Sequence, residues 1–397
     1  MVGKIIALAI AFILMLAVPL YDVITKPASP VEYGAGNGES QVIEDPEQLQ
    51  ELLNNIPNVD AYLENANILD VYPDFKSFTM VESGFARTTT TTSYSDSNTE
   101  SVSEKNHILE MCYAENALYY HAVGKMTEKE TVSVYNEASG NTNYESGTRT
   151  ITSYDIEIYY SSELVMVKFN AFDILQEELV VDESSLLVTY REVEEEEGAL
   201  STSRVLETYE KCFGQWMELK TPTEEELMTK FEGMSEEEMQ IEYTVYMLCE
   251  TFSTAYIDDI NASNQLNAQY LVSLSNFLTD NIDTAFEKTG NLYDLKSDEE
   301  TKIAYLGALG LEGGYKEDTS SADASFTVNS TEVGVSQECV VYTDYGRTVE
   351  METFTSFKNV NNTVANVKNA DVKTVYDTLH DPFSDLIKEY MEEQSNG

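Results

Sequence analysis

A chain of 397 residues, 42 % of them hydrophobic, is globular and long enough for two or three domains with an ample core. Against 23 Lys and Arg stand 71 Asp and Glu, a formal net charge of −48. A field of that sign repels phosphate backbones and anionic headgroups, which excludes nucleic acid as a partner and leaves basic proteins, cations and neutral ligands. The excess lies in Glu rather than Asp, which favours solubility as the reason for the charge.

The chain opens MVGKIIALAIAFILMLAVPLYDVITKP, and from Ile5 to Leu20 every residue is apolar or Pro. A helix of that length covers roughly 24 Å against a hydrocarbon core of about 30 Å. Lys4 ahead of it holds the cytoplasmic side, so the rest of the chain is expected to be exported. Residues 1–26 read as a signal peptide or an N-terminal membrane anchor, with membrane contact only through residues 5–20. No A-x-A site follows the run, which favours retention over release. No Cys precedes Cys112, which excludes a diacylglyceryl anchor. Residues 27–44, with Pro27, Pro30, Gly34, Gly36 and Gly38, read as a flexible stalk.

Residues 45–218 read as a β-rich antiparallel sheet domain with a leading helix. Asp45 is a good N-cap, Pro46 fits N1, and Leu49, Leu52 and Leu53 form the apolar stripe. From about residue 75 the period is two. In ITSYDIEIYY, Tyr154, Ile156, Ile158 and Tyr160 share one face, while Asp155 and Glu157 take the other. In ELVMVKFNAF the shared face is Val165, Val167, Phe169 and Ala171; in LLVTYREV it is Leu186, Val188 and Tyr190. VSVY at 132–135 reads as a further strand and NEASGNTNYESG as a turn-rich join. About eight strands with no helical period between them predict a meander of hairpins. The run Thr88 to Thr92 has strand propensity but no apolar face, and reads as an exposed hairpin arm, or else as a glycan-bearing stalk.

Residues 219–289 read as an antiparallel helix pair. Thr221-Pro-Thr-Glu224 and Ser235 to Glu238 are capping boxes. Ile241, Val245, Leu248, Cys249, Phe252 and Tyr256 recur at helical spacing, as do Leu266, Tyr270, Leu274, Phe277, Leu278, Ile282 and Ala285. Residues 290–397 read as a smaller C-terminal α+β unit. IAYLGALGLEGG fits strand or helix; ASFTVNS, ECVVYT and TVEMETFTSF are strands, the last two joined at Asp344-Tyr-Gly346. Val372, Val375, Tyr376 and Leu379 mark a helix, and Asp381-Pro382 recaps a final short one through Tyr390.

The expected fold is α+β: a mainly antiparallel sheet, strongly curved and half-barrel-like, under a covering helix pair. In element order, and over about half of the chain, this resembles the curved half-barrel lipid-binding envelope proteins of the LolA and LppX type, from which it departs in lacking a lipobox.

Chemical motifs are sparse. No G-x-S-x-G, H-E-x-x-H or P-loop pattern occurs. The segment from Asp259 lacks the Gly and the bidentate Glu of a calcium loop. Cys112, Cys212, Cys249 and Cys339 are too far apart for zinc or a redox motif, and are either two disulfides or four buried thiols. His380, before Asp381-Pro382, reads as a group that meets helix-end carbonyls. His107 and His121 lie seven residues either side of Ala114. A hairpin centred there would oppose the two rings, as a pair able to share a transition metal; a loop of even length would turn them to opposite faces. No catalytic residue and no cofactor are assigned. The expectation is an exported cell-envelope binding protein that holds an apolar small molecule against the sheet or docks an envelope protein. An extracytoplasmic hydrolase using paired carboxylates is the alternative.

Overall fold

The computed structural model describes residues 77–93, 97–114, 117–136, 141–161, 164–181, 188–193, 202–254, 277, 281, 283–290, 292–308, 321–328, 332–342, 347–358, 363, 365 and 372–396. The N-terminal apolar run, the stalk, the helix expected after Asp45, the segment from Asp259 and most of the second helix of the pair lie outside them.

Alternation carries most of the described residues into one sheet. The strands are β1 (Ser77–Ser93), β2 (Ser97–Ala114), β3 (Ala117–Asn136), β4 (Asn141–Ser161), β5 (Val165–Val181), β6 (Val188–Glu192), β7 (Met217–Glu218), β8 (Phe286–Thr289), β9 (Leu292–Leu295), β10 (Ser321–Val328), β11 (Glu332–Tyr342), β12 (Arg347–Lys358) and β13 (Lys373–Thr374). They form a single 13-stranded sheet in the order β13-β7-β5-β4-β3-β2-β1-β12-β11-β10-β9-β8, with β6 also paired to β5. Every pairing is antiparallel except β13 with β7. The sheet is open, ending at β13 and β8.

The meander of hairpins is present as β1 to β5. The strands are longer than the local signals suggest. VSVY is the end of a 20-residue strand, and NTNYESG, expected as a turn, opens the 21-residue β4. Pairing with a continuous neighbour overrides weak local propensity there. The Thr run is not a free arm: Thr88 to Thr90 pair with β12 on one side and β2 on the other, and exposure begins at Thr91. Because β12 pairs with β1, the strands after residue 290 continue the same sheet as those before residue 218.

One face of this sheet, here the inner face, is largely apolar. Met80, Met111, Tyr120, Ile158, Val167 and Met217 oppose one another across six strands, each at most 7 % exposed. The helices are α1 (Thr202–Glu210), α2 (Glu224–Phe231), α3 (residues 236–254), α4 (Glu299–Ala308) and α5 (Val375–Asn396), and buried residues of α1, α3, α4 and α5 join those of the inner face in one core. The stripe expected on α3 is observed: Ile241, Val245, Leu248, Cys249 and Phe252 are all buried. Phe252 meets Phe169 of β5 edge-on at 5.9 Å and stacks on Tyr209 of α1 at 6.2 Å; Tyr209 meets Phe383 of α5 at 4.9 Å. A second, smaller layer forms where Leu306 of α4 packs on Ala322, Cys339 and Met351 of β10 to β12. IAYLGA, ambiguous by pattern, is therefore helical.

Helix ends follow the capping logic with one shift. Ser235 and Glu238 form the expected box at the start of α3. The first box sits two residues later than expected, on Thr223 and Glu226, because it is the Glu226 carboxylate that reaches the Thr223 N–H, at 2.7 Å. The expected break at Asp381-Pro382 does not occur: α5 runs through Pro382. A proline cannot donate to the carbonyl four residues back, and that carbonyl, Thr378 O, accepts the Cys212 thiol at 3.6 Å instead. All four cysteines are free and buried, and burial pushes the Cys339 thiol up to about 12.

Candidate functional site

The hairpin between β2 and β3 decides the histidines. Ala114 opposes Ala117, so the symmetry point of the pairing lies midway between these two residues rather than at Ala114. His107 consequently opposes Gly124, and His121 opposes Glu110. An offset of three positions sends the two rings to opposite faces of the sheet, so the directly opposed pair is not formed. Among the described residues no group of three or more His, Cys, Asp or Glu is placed to hold a metal ion.

His121 belongs to a hydrogen-bonded network on the outer face, the face of Asp155 and Glu157 as the alternation predicted. Its Nε2 lies 2.9 Å from Asp155 Oδ1. A bulge in β5 leaves Asn170 without a partner in β4, and its amide donates to both Asp155 (2.9 Å) and Glu157 (2.8 Å). Tyr119 and Lys168 also donate to Glu157, at 2.8 and 2.5 Å. Burial opposes the charge of Glu157, but the hydrogen bonds from Asn170, Lys168 and Tyr119 outweigh it and hold the carboxyl below its usual range. A carboxylate so anchored is a poor general acid, which needs the opposite shift.

On the inner face, the row Thr353–Gly84–His107–Gly124–Tyr154–Phe172 crosses β12, β1, β2, β3, β4 and β5. It departs from the apolar rows beside it. His107 has glycine on both flanking strands. On the β3 side the Tyr154 hydroxyl occupies the space a side chain at position 124 would take: a Cβ there would strike that hydroxyl and lie 2.5 Å from the Asn106 carbonyl oxygen. Gly124→Ala is expected to destabilise by about 1–3 kcal/mol through overpacking, read as a lower urea midpoint at constant slope.

The polar groups of this strip are deeply placed. His107 is 7 % exposed, Tyr154 3 %, and Lys105, two residues along on the same face, 3 %. Thr355 donates to Glu82 Oε2 at 3.0 Å, and the other Glu82 oxygen lies 3.4 Å from His107 Nε2. An ionised carboxylate only accepts, so a neutral ring bonded to it carries its proton on Nε2 and keeps the lone pair on Nδ1. That Nδ1 and the Tyr154 hydroxyl are buried and have no hydrogen-bond partner among the described residues. Burial raises the Tyr154 pKa, so the hydroxyl keeps its proton and remains a donor. The strip thus offers one unused acceptor on β2 and one unused donor on β4, the latter reaching over Gly124 of the intervening β3, which opposes His107; Leu109, Ala122, Ile156 and Phe172 lie around them.

His380 does not meet helix-end carbonyls, because the helix does not end there. Its Nε2 lies 2.6 Å from Glu242 of α3 and its Nδ1 2.8 Å from Asp381. The Tyr376 hydroxyl also donates to Glu242, and Lys230 of α2 lies 3.5 Å from that carboxylate and 4.1 Å from the centre of the Tyr376 ring. This cluster ties α2, α3 and α5 together.

No protein-family model, curated protein or solved structure matches this chain. The reading of the site therefore stands on its residues. The inner-face strip is not legible as a site in the sequence: alternation places Tyr154 on an apolar strand face, and the two glycines flank His107 only in the observed register.

Proposed function

We propose that this chain is an exported, non-catalytic binding protein of the cell envelope, which holds an apolar ligand by a polar group against the inner face of its sheet. The observation that carries the reading is the pair of polar atoms unpartnered among the described residues, His107 Nδ1 and Tyr154 Oη, buried on a largely apolar face. Leaving such atoms without hydrogen bonds costs stability, and a bound group that satisfies both explains their retention. A strongly curved, half-barrel-like sheet would make this face concave, and a helix pair formed by α3 and the segment after it would cover it. The N-terminal apolar run supports export, with the body released or retained at the membrane; among the described residues no helix is long and apolar enough to cross a membrane.

The hydrolase alternative draws on Asp155 and Glu157, whose carboxylates share Asn170. The depressed Glu157 favours a structural role for that pair. Native mass spectrometry of the full chain purified from its host's envelope fraction tests the main reading. Extra mass that is lost under organic solvent supports it. A bare mass moves the assignment to a protein-docking module. The same sample reports an intact or a cleaved N-terminus.

A further inference from the structure

The donor and acceptor pattern of the strip defines the chemistry of the group it takes. This step rests on the binding reading above. We infer that the ligand presents an uncharged hydroxyl to His107 and Tyr154. An O–H group can donate to the Nδ1 lone pair and accept from the tyrosine hydroxyl at the same time. A carboxylate can accept but cannot donate, and it would approach a histidine already 3.4 Å from the Glu82 carboxylate, where like charges repel strongly at low dielectric. An ammonium has no acceptor for the Tyr154 proton and meets Lys105 on the same face. Beyond Glu82 and Lys105, the groups next to the pair are apolar: Phe172 opposes Tyr154, and Leu109 and Met126 flank His107 and Gly124 along their strands. A ligand whose remainder is hydrocarbon suits them. The site is therefore specific for an alcohol on an apolar body.

The test is calorimetric titration of the delipidated full chain with 1-decanol, decane and sodium decanoate, repeated for Tyr154→Phe. The expected result is that decanol binds more tightly than either of the others, and that Tyr154→Phe weakens decanol by roughly three- to tenfold, the span of one net hydrogen bond, without changing decane. Equal affinity for all three probes would sink the hydroxyl assignment while leaving the binding reading intact. Decanol binding unchanged in Tyr154→Phe does the same. No binding of any probe by the wild-type chain, with no mass carried over from the host, means that an ordered water fills the strip; both readings then fall. The probe comparison in the wild-type chain stands even where the variant does not fold.

Discussion

Glu242→Ala is expected to lower the unfolding free energy by about 3 kcal/mol, because it leaves the Tyr376 hydroxyl and the His380 ring without their shared acceptor in a site where Glu242 is 5 % exposed. The same substitution should alter the pH dependence. Both His380 nitrogens face carboxylates, an arrangement that suits the imidazolium. Burial works against its charge, but the hydrogen bonds to Asp381 and Glu242 prevail and raise its pKa. Burial likewise opposes ionised Glu242, and the hydrogen bonds from Tyr376 and His380 lower its pKa overall. A raised histidine stabilises fully below its unfolded value of about 6.5 and loses that contribution as pH rises through the folded value; a lowered carboxyl stabilises fully above about 4.3 and loses it as pH falls. Wild-type stability should therefore decline above about pH 6.5, and Glu242→Ala should flatten that decline. Guanidinium melts from pH 5 to 9 check both; a variant as pH-sensitive as the wild type would show that the cluster does not act as described.

Phe252→Ala is expected to cost about 3–5 kcal/mol, within the usual range for a buried aromatic. Phe252 is fully buried and joins three elements: its own helix α3, Phe169 of β5 and Tyr209 of α1, which in turn contacts Phe383 of α5. Truncation leaves a cavity where the helical layer meets the sheet. Phe252→Leu should recover a large part of the loss, as a swap that keeps most of the volume. Thermal unfolding followed by near-ultraviolet circular dichroism separates the two variants, because it reports the tyrosine packing.

The strands were legible because burial on one side of a sheet writes a two-residue period into the chain. Tyr154, Ile156 and Ile158 against Asp155 and Glu157 is the clearest case, and both faces were assigned as they occur. Register was not legible. It depended on whether the β2–β3 loop held two residues or an odd number, and on that choice His107 and His121 either meet or part. The bulge that aims Asn170 between two acids left no mark in the alternation either. Among the helices, the Ser235 box was plain, since both partners are local. Pro382 misled because the rule that a proline ends a helix assumes that the orphaned carbonyl has no other donor. Cys212, 166 residues away in sequence, supplies one. The inner-face strip was hidden for a similar reason: Glu82, Thr355, His107, Gly124 and Tyr154 converge only through pairings that span most of the chain.

The pairing of β1 with β12 bears on how this sheet comes into being. It places the first described strand in the middle of the sheet, next to one made about 260 residues later, so at ordinary elongation rates β1 waits roughly 13–50 s for its second neighbour. Until then the edge of β1, Thr run included, is an unpaired template for other chains. Folding of the whole sheet is governed by closure of that long loop, a slow and late event. A chain of this topology depends on its nascent edge being kept apart from its neighbours, and the mutual repulsion that comes with a net charge of −48 serves that end.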